Sequence, residues 1–266
     1  MNILITGRNG FIGRELEQFL SDTSHNVIAT CRMTLDVSDE AQVRSFLEGH
    51  DIDVVLHAAI LGGRRKEPDT FFDFVDNLSM FKNLVKHSEK YDFMISFGSG
   101  AEAHADTYYG SAKSIIASEI LKSRNLVNLR LFGCFGPTEN DNRFIKNSFN
   151  RLSRNEPILI YQDRHMDFFY IDDLKKVVLY YIENFYKGKL PGTIDLCYEG
   201  KKTLLEVANE IKYLTSGEVP IIIKNKNPAV SYTGDGAKLT KLGLKLHGFH
   251  VGIRKTIEEL RMIENG

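Results

Sequence analysis

Short apolar runs alternate with amphipathic helical patterns along the first half of the chain. Residues 3–5 are apolar throughout, which is typical of a strand buried on both faces of a parallel sheet. Similar runs predict strands at 27–29, 54–56, 93–97 and 127–131. Between them, apolar residues recur with helical spacing at 11–20, 43–47, 71–85 and 115–121. This βαβα alternation predicts an α/β fold, a doubly wound parallel sheet with helices on both faces.

The second half of the chain does not keep this alternation. After Gly136 and Pro137 comes a polar loop, and then shorter elements. The apolar pattern predicts helices at 144–152, 174–185, 203–215 and 257–263 and strands at 158–161 and 219–223. Asp172 and Asp173 are expected to cap the second of these helices. We therefore predict a large domain, residues 1–136 and 167–197, interleaved with a smaller C-terminal domain, residues 137–166 and 198–266.

Composition narrows the possible partners. The formal net charge of −1 provides no global field to attract nucleic acid, so we expect no nucleic-acid partner. No apolar run approaches the roughly 20 residues that span a bilayer, and the N-terminal apolar residues belong to the first strand rather than to a signal peptide. We therefore expect a cytoplasmic protein without membrane contact. Cys31, Cys134 and Cys197 are widely separated, as reduced thiols are, and the eight histidines lack metal-site spacing, so no metal is expected.

Three glycines follow the first strand with the spacing G-x-x-G-x-x-G. Gly7 lets the chain turn sharply, Gly10 leaves room for a pyrophosphate against the backbone, and Gly13 lets the helix pack close to the sheet. The helix N-terminus adds a partial positive charge. A glycine-rich turn without a ligand is the alternative, but the place between a strand and a helix favours a Rossmann dinucleotide site. The predicted cofactor contacts here are Gly7, Asn9, Gly10, Phe11, Ile12 and Gly13.

The residue after the second strand bears on the choice of cofactor. A carboxylate at this position is typical of NAD sites, whereas a basic residue suits the extra phosphate of NADP. Here Arg32 follows the strand, and the first carboxylate is Asp36. We predict that Arg32 stacks on adenine and pairs with the 2′-phosphate, which favours NADP(H) over NAD(H). The alternative is a solvent-exposed loop arginine. Asp36 and Val37 are expected to flank the adenine ring.

Tyr109 and Lys113 stand four residues apart at the start of a predicted helix, on one face. A phenol, with an ordinary pKa of about 10, exchanges a proton near neutrality only when a cation favours the phenolate, and Lys113 supplies one. Ser99, at the end of the fourth strand, is predicted to hydrogen-bond the oxygen that Tyr109 protonates. Ser96 and Tyr108 are the competing candidates, but Tyr108 has no lysine four residues on. Ser99, Tyr109 and Lys113 are therefore the predicted catalytic residues.

These motifs together resemble the extended short-chain dehydrogenase/reductases, also called the NAD-dependent epimerase/dehydratase family. The matching stretches are 6–13, 57–59, Asn77, Ser99, Tyr109 with Lys113, 130–137 and 167–173. Members mostly act on nucleotide-activated sugars, by hydride transfer to or from a nicotinamide. The resemblance implies that Lys113 and Tyr109 also contact the cofactor, that His57, Ala58 and Ala59 lie beside it, and that Asn77 lies near a water relay. His57 itself is expected to be a packed strand-end residue rather than an acid or base.

Departures from the family pattern bear on the reaction. The loop Gly62-Gly63-Arg64 is similar to that of GDP-fucose synthases, which reduce a 4-keto sugar with NADPH. Those enzymes also epimerise with a cysteine at the position of Ala101. Dehydratases of the family carry an acidic pair after the catalytic serine or threonine, where this chain has Gly100 and Ala101. We therefore predict reduction at C4 without change at C3 or C5; otherwise Glu102 or His104 would be the acid–base candidate.

Two further departures concern the substrate. Gly133 stands where many relatives have asparagine, and Met166 stands where they have arginine, so the nucleotide is left open. The residues predicted to contact a nucleotide-sugar diphosphate are basic: Arg64, Arg143 and Arg164, with Ser99 at the sugar.

Three functions follow, of which the leading one is an NADP(H)-dependent reductase of a nucleotide-linked 4-keto sugar. The second is a nucleotide-sugar 4-epimerase with tightly bound NAD, and the third is a non-catalytic dinucleotide-binding sensor. The large domain is predicted to bind the dinucleotide and the small one the substrate. A homodimer is compatible with the sequence.

Overall fold

The computed structural model describes residues 1–63, 67–187 and 190–265. The chain divides into two compact units, and each is described by itself. The first unit comprises Met1–Arg130 and Val178–Ile194, and the second comprises Leu131–Val177 and Asp195–Gly266. These boundaries differ from the predicted ones because three elements, β5, α6 and β9 below, each cross from one unit to the other.

Ten strands and nine α-helices are assigned within the described residues. In the first part of the chain they are β1 (Asn2–Thr6), α1 (Phe11–Ser21), β2 (Asn26–Thr30), α2 (Glu40–Gly49), β3 (Val54–His57), α3 (Phe71–Lys86), β4 (Phe93–Ser99), α4 (Tyr108–Ile120) and β5 (Leu126–Leu131). After them come β6 (Cys134–Phe135), α5 (Phe144–Ser153), β7 (Ile158–Gln162), β8 (Phe169–Tyr170), α6 (Ile171–Asn184), β9 (Thr193–Leu196), α7 (Leu204–Thr215), β10 (Ile221–Asn225), α8 (Ala237–Thr240) and α9 (Phe249–Asn265). Short 3₁₀ helices occupy Ser88–Lys90 and Gly100–Ala103.

The central sheet has six parallel strands in the order β2-β1-β3-β4-β5-β9, which confirms the predicted α/β class. Strand β1 pairs with β2 on one side and with β3 on the other, so Ile3 lies between Val27 and Val54. The chain therefore reverses its direction of travel across the sheet after β2. In doubly wound folds, ligands bind beyond the carboxyl ends of the strands at this switch point.

Apolar side chains from the sheet and helices form a buried cluster that holds the carboxyl edge in place. Leu4, Val55 and Met94 contribute from β1, β3 and β4, and helices α2, α3 and α4 cover them. Side-chain caps fix where those helices begin. The Asp39 carboxylate accepts from the first turn of α2, and Thr107 accepts from Gly110 N at the start of α4.

The second unit contains two small parallel pairs, β6 with β8 and β7 with β10. Its helix α9 begins at Phe249, eight residues earlier than predicted. Gly252 interrupts the apolar helical pattern in the first turn, so the sequence did not indicate this start. A Cβ atom there would lie 2.6 Å from the Tyr170 ring, so the helix backbone packs directly on that tyrosine. Strands β6 and β8 have two residues each, too few to show a periodicity, and neither they nor the four-residue strand β9 were predicted.

The predicted acidic cap at Asp172 and Asp173 is wrong. Helix α6 begins at Ile171, so both aspartates lie inside its first turn. Asp173 is fully buried and accepts hydrogen bonds from Tyr198 Oη at 2.7 Å, His247 N at 2.8 Å and Gly248 N at 2.9 Å. Its carboxylate therefore fixes the segment before α9 rather than the start of α6.

No helix in the described part of the chain is long and apolar enough to cross a membrane. No group of three or more His, Cys, Asp or Glu side chains there is arranged to hold a metal ion.

Candidate active site

The glycine loop packs directly on the segment that follows β3. Gly7 has a φ of +75°, and a Cβ atom on it would lie 2.6 Å from Ala59 N and 2.9 Å from the Ala58 carbonyl carbon. A Cβ on Gly13 would lie 2.3 Å from Gly7 O. Only glycine fits at both positions, so the sequence brings the carboxyl ends of β1 and β3 together at the switch point.

The N-terminus of α1 fits a dinucleotide phosphate. Gly10 is the N-cap and is exposed, with no side-chain cap, and the first turn of this eleven-residue helix, which the structure fully describes, carries no acidic side chain. Backbone N–H groups at such an end, with the helix dipole, attract anions. The predicted contacts from Gly7 to Gly13, with Asn9, Phe11 and Ile12 among them, surround this end.

His57 at the end of β3 behaves as a structural residue. It is buried, and its Nδ1 lies 2.9 Å from Thr6 Oγ1, which also accepts from Ala59 N at 3.3 Å. Burial, and secondarily the charge of Lys113, lowers the pKa of His57 to about 3. The imidazole is therefore neutral at physiological pH and cannot serve as a general acid there.

At the end of β2, Arg32 is 68% exposed and its Nε donates to Asp36 Oδ2 at 3.0 Å. Ser38 N and Oγ donate to the other oxygen of Asp36. Burial raises the pKa of Asp36, but these hydrogen bonds and the arginine outweigh it and lower the pKa. Val37 is buried in the core cluster and its carbonyl accepts from Asn83, so its side chain faces the core.

Arg8, inside the glycine loop, is a second cation at the same end of the sheet. Its backbone N donates to Thr30 O at 3.0 Å, and its guanidinium pairs with Glu17 at 2.7 Å. The pKa of the Cys31 thiol is lowered chiefly by a backbone hydrogen bond from Met33 and a side-chain hydrogen bond from Thr34. The positive charge of Arg8 lowers it slightly further. The sequence pattern did not single out Arg8, because position 8 is a variable position of the glycine motif.

The loop after β3 is held by Asn77 of α3. The amide of Asn77 accepts from Leu61 N and donates to Leu61 O, both at 2.9 Å. Gly62 and Gly63 follow with positive φ, and Gly63 lies against the Tyr109 ring, where a Cβ would be 3.0 Å from Cε2 and 3.1 Å from Cζ. This loop therefore packs beside the phenol, next to the carbon that bears its hydroxyl.

Asp69 connects that loop to helix α4. Its Oδ1 accepts from Gly63 N at 2.7 Å and its Oδ2 from Tyr109 N at 3.3 Å. One carboxylate thus joins the loop at Gly62 and Gly63 to the first turn of α4. No motif identified Asp69, since its two partners are 6 and 40 residues away in sequence.

Ser99 ends β4 and begins the 3₁₀ helix Gly100–Ala103, where its Oγ accepts from Ala101 N at 3.2 Å. Ser96 lies inside the sheet, opposite His57 in the parallel register. Of the two serines, Ser99 is therefore the one at the carboxyl end of β4. Tyr108, the competitor of Tyr109, is exposed and packs among Phe71 and Phe74.

Tyr109 and Lys113 lie one turn apart on α4. Lys113 is 7% exposed, donates from Nζ to Phe97 O at 2.6 Å, and lies 5.9 Å from the centre of the Tyr109 ring. Burial lowers the pKa of Lys113 to about 8, and the negative charge of Glu102 opposes that change. The ammonium is therefore the charged form at neutral pH and lies close enough to favour a phenolate.

The arginines predicted to contact the substrate lie in different parts of the chain. Arg64 lies outside the described residues. In the second unit, Arg143 is the N-cap of α5, and exposed Arg164 lies 5.8 Å from the centre of the Tyr232 ring. The two departures noted above lie together, since a Cβ on Gly133 would be 3.2 Å from Met166 Cε.

Comparison with known proteins identifies the family. A family model described as the NAD dependent epimerase/dehydratase family matches residues 3–197. The chain belongs to this family. The resemblance expected from the motifs is confirmed.

The relatives and solved structures that this chain resembles are named for nucleotide sugars. GDP-L-colitose synthase of Yersinia pseudotuberculosis is 25% identical over 129 residues, 47% of this chain and 42% of that protein, so the match spans less than half of that relative. The GDP-mannoheptose C4 reductase of Campylobacter jejuni with NADP bound has a TM-score of 0.84 at 18% identity, covering 98% of each chain. The UDP-glucose 4-epimerase of Thermus thermophilus with NAD has a TM-score of 0.81 at 16% identity, covering 98% of this chain and 99% of that one. At these identities the two structures establish the epimerase/dehydratase fold for this chain.

Proposed function

We propose that this chain is an NADP(H)-dependent reductase of the 4-keto group of a nucleotide-activated sugar. The observation that carries the proposal is the position of Lys113. Its buried ammonium donates to the carbonyl of Phe97, two residues before Ser99, and lies within 5.9 Å of the Tyr109 ring centre. This constellation is in the same unit as the glycine loop whose helix end fits a phosphate.

Each side chain has a role that follows from its chemistry. When bound, the reduced nicotinamide supplies the hydride that the carbonyl carbon accepts. Tyr109 donates a proton to the carbonyl oxygen, and Ser99 donates a hydrogen bond to the same oxygen. Lys113 stabilises the phenolate that remains, since a nearby cation lowers the pKa of a phenol.

The preference for NADP(H) rests on Arg8 and Arg32. Two guanidinium groups lie near the end of β2, and the neighbouring carboxylate of Asp36 already accepts from Arg32 and Ser38. Guanidinium groups bind phosphate well, whereas an occupied carboxylate is a poor partner for ribose hydroxyls. In the second unit, we assign the sugar-nucleotide diphosphate to Arg143 and Arg164.

The second candidate is a 4-epimerase that keeps NAD bound and returns the hydride to the same sugar. The similarity to a UDP-glucose 4-epimerase favours it. The arginines at the end of β2 favour the reductase instead. A non-catalytic sensor is the third candidate, and the joint presence of Ser99, Tyr109 and Lys113 argues against it.

One assay separates the candidates. The purified protein is given GDP- and UDP-linked 4-keto sugars with NADPH or NADH in D₂O, and nicotinamide oxidation and product deuteration are measured. A reductase oxidises NADPH stoichiometrically and leaves C3 and C5 unlabelled beyond an enzyme-free control. Tightly co-purifying NAD with interconversion of 4-epimers identifies the epimerase, and nucleotide binding without turnover identifies the sensor.

We also propose that two copies of the chain associate through the exposed faces of α3 and α4. Phe72 is 78% exposed, and Phe71 contacts both Phe72 and Tyr108, with ring centres 6.4 and 6.0 Å apart. Contiguous exposed aromatic side chains mark interaction sites, and a formal net charge of −1 opposes self-association little. Sedimentation should give a dimer that Phe72→Asp converts to a monomer; a monomeric parent protein would refute the proposal.

A further inference from the structure

A buried carboxylate lies behind the end of β4. The Glu102 side chain is 6% exposed and accepts from Ser99 N at 2.9 Å, Arg130 Nε at 2.7 Å and Asn128 Nδ2 at 3.1 and 3.2 Å. Asn128 and Arg130 belong to β5, so the carboxylate connects that strand to the residue that ends β4. With this set of donors, the carboxylate is engaged as a fixed anion rather than available as a general acid.

The backbone at the end of β4 lies flush against this group. A Cβ on Gly98 would lie 2.3 Å from Glu102 Oε1 and 2.1 Å from Asn128 Oδ1, so no side chain fits there. Glycine at 98 therefore lets the carboxylate approach the strand. The main-chain groups on either side of Gly98 are both hydrogen-bonded to buried charged side chains. Phe97 O accepts from Lys113, and Ser99 N donates to Glu102.

Lys113 and Glu102 are therefore a buried cation and anion attached to one short stretch of backbone. Burial disfavours the ammonium, and Glu102 is the group that opposes this effect. Among the residues that the structure describes, Tyr109 on the same helix and His57 on β3 also lie near Lys113, and His57 is held neutral by burial. Arg130 balances part of the Glu102 charge from β5.

We propose that Glu102 is a positioning residue that keeps Lys113 a cation and fixes the backbone of Ser99, through its bond to Ser99 N and its charge near Lys113. The inference rests on the proposed function only in treating Ser99 and Lys113 as reactive groups. It also gives Glu102 a role other than the acid–base one that would produce exchange at C3 or C5.

The test measures the protonation of Lys113 without cofactor or substrate. Urea unfolding is followed from pH 6 to 11 for the parent protein, Glu102→Gln and the matched control Glu119→Gln, an exposed glutamate on α4. In the parent, the pKa of Lys113 is about 8. Because the unfolded chain binds a proton there up to its ordinary pKa of 10.5, stability rises with pH above about 8. In Glu102→Gln this rise should begin about one pH unit lower, because the opposing charge is gone.

Glu102→Gln in a Lys113→Met background shows whether the effect depends on the interaction between Glu102 and Lys113. There, the rise that Lys113 causes should be absent, and adding Glu102→Gln should leave the pH dependence of stability unchanged. If Glu102→Gln alone does not fold, the double variant should, because it leaves no unbalanced lysine inside. An unshifted onset in Glu102→Gln, a shift that persists without Lys113, or a double variant that also fails to fold would each overturn the inference.

Activity then provides a second, separate measurement. In the reductase assay, the alkaline limb of kcat should move to lower pH in Glu102→Gln by the same amount, with Glu119→Gln unchanged. A kcat lowered equally at every pH would show a purely structural role and contradict the inference. Failure of the reductase assay in the parent protein would leave the unfolding result intact, so the two proposals fail separately.

Discussion

The ends of β4 and β2, both on the carboxyl edge of the sheet, carry ion pairs in opposite surroundings. At the end of β4, Lys113 and Glu102 are 7% and 6% exposed. At the end of β2, Arg32 and Arg8 are 68% and 44% exposed and pair with Asp36 and Glu17. Three strand spacings separate β2 from β4 in the sheet order, about 14 Å, comparable to the reach of a dinucleotide.

The difference in burial predicts which charges affect turnover and which affect the choice of cofactor. In the interior, charges interact in a low effective dielectric and resist screening, so each must be balanced by a positioned partner. At the surface, salt and water weaken the same pairs to below about 1 kcal/mol, so such residues change at little cost to the fold. We therefore expect substitutions at the inner end to affect turnover and pH dependence. At the outer end we expect them to affect the choice of cofactor.

The largest effect is expected from Tyr109→Phe. Loss of the hydroxyl removes the proton donor and should lower kcat by about two to four orders of magnitude while NADPH still binds. Tyr108→Phe, one residue away and exposed, is the matched control and should keep full turnover. Stopped-flow turnover and fluorescence titration measure the two quantities. Near-normal kcat in Tyr109→Phe would show that the proton comes from another group.

Lys113→Met should separate stability from activity. Because burial lowers the pKa of Lys113 from 10.5 to about 8, the charged lysine destabilises the folded protein at neutral pH. Methionine should raise the free energy of unfolding at pH 7 by about 1–3 kcal/mol and lower turnover, though by less than Tyr109→Phe does. The gain should shrink as the pH rises from about 8 to 10.5, because there the folded parent has lost the proton that its unfolded chain still binds. Arg32→Met, at the exposed end, should change stability by less than about 0.5 kcal/mol, and a gain equal to that of Lys113→Met would contradict the comparison.

Gly63→Ala tests the packing beside the phenol, with Gly243→Ala as control. Both glycines have a φ of +67°, but a Cβ on Gly243 meets nothing within 4 Å, whereas one on Gly63 meets the Tyr109 ring. Both variants should lose about 1–2 kcal/mol of stability from backbone strain. Only Gly63→Ala should also lower kcat, by about tenfold, since small misplacement of a reacting group is costly. Equal kcat in the two variants would show that the loop does not position Tyr109.

The smallest effect is expected from Arg32→Ala, and it concerns affinity alone. NADPH binding should weaken by about tenfold while NADH binding changes little, because a surface phosphate contact is worth about 1–2 kcal/mol. The NADPH effect should diminish in high salt. Arg44→Ala, an exposed arginine on α2, should leave both affinities unchanged. Equal weakening of NADPH and NADH would refute the assignment of Arg32 to the 2′-phosphate.

The sequence alone determined the architecture and the motif-bearing part of the site. Periodic apolar residues fix strands and helices locally, and the glycine spacing requires a tight turn between β1 and α1, so these features follow from neighbouring residues. The pair Tyr109 and Lys113 lies within one helical turn and was predictable for the same reason. The predicted helix at 174–185 was misplaced at its start because buried Asp173 serves a segment 74 residues away rather than its own helix.

Only the tertiary structure decided what surrounds those motifs. Asp69 reaches Tyr109 across 40 residues, and Glu102 reaches Asn128 and Arg130 across 26 and 28. No local pattern encodes such contacts, because a carboxylate looks the same in sequence whether it is solvated or buried. Burial and the donors supplied by distant strands determine its charge state and its effect on neighbours. The sequence therefore named the side chains that we propose to react, and the packing of β4, β5 and α4 supplies their electrostatic surroundings.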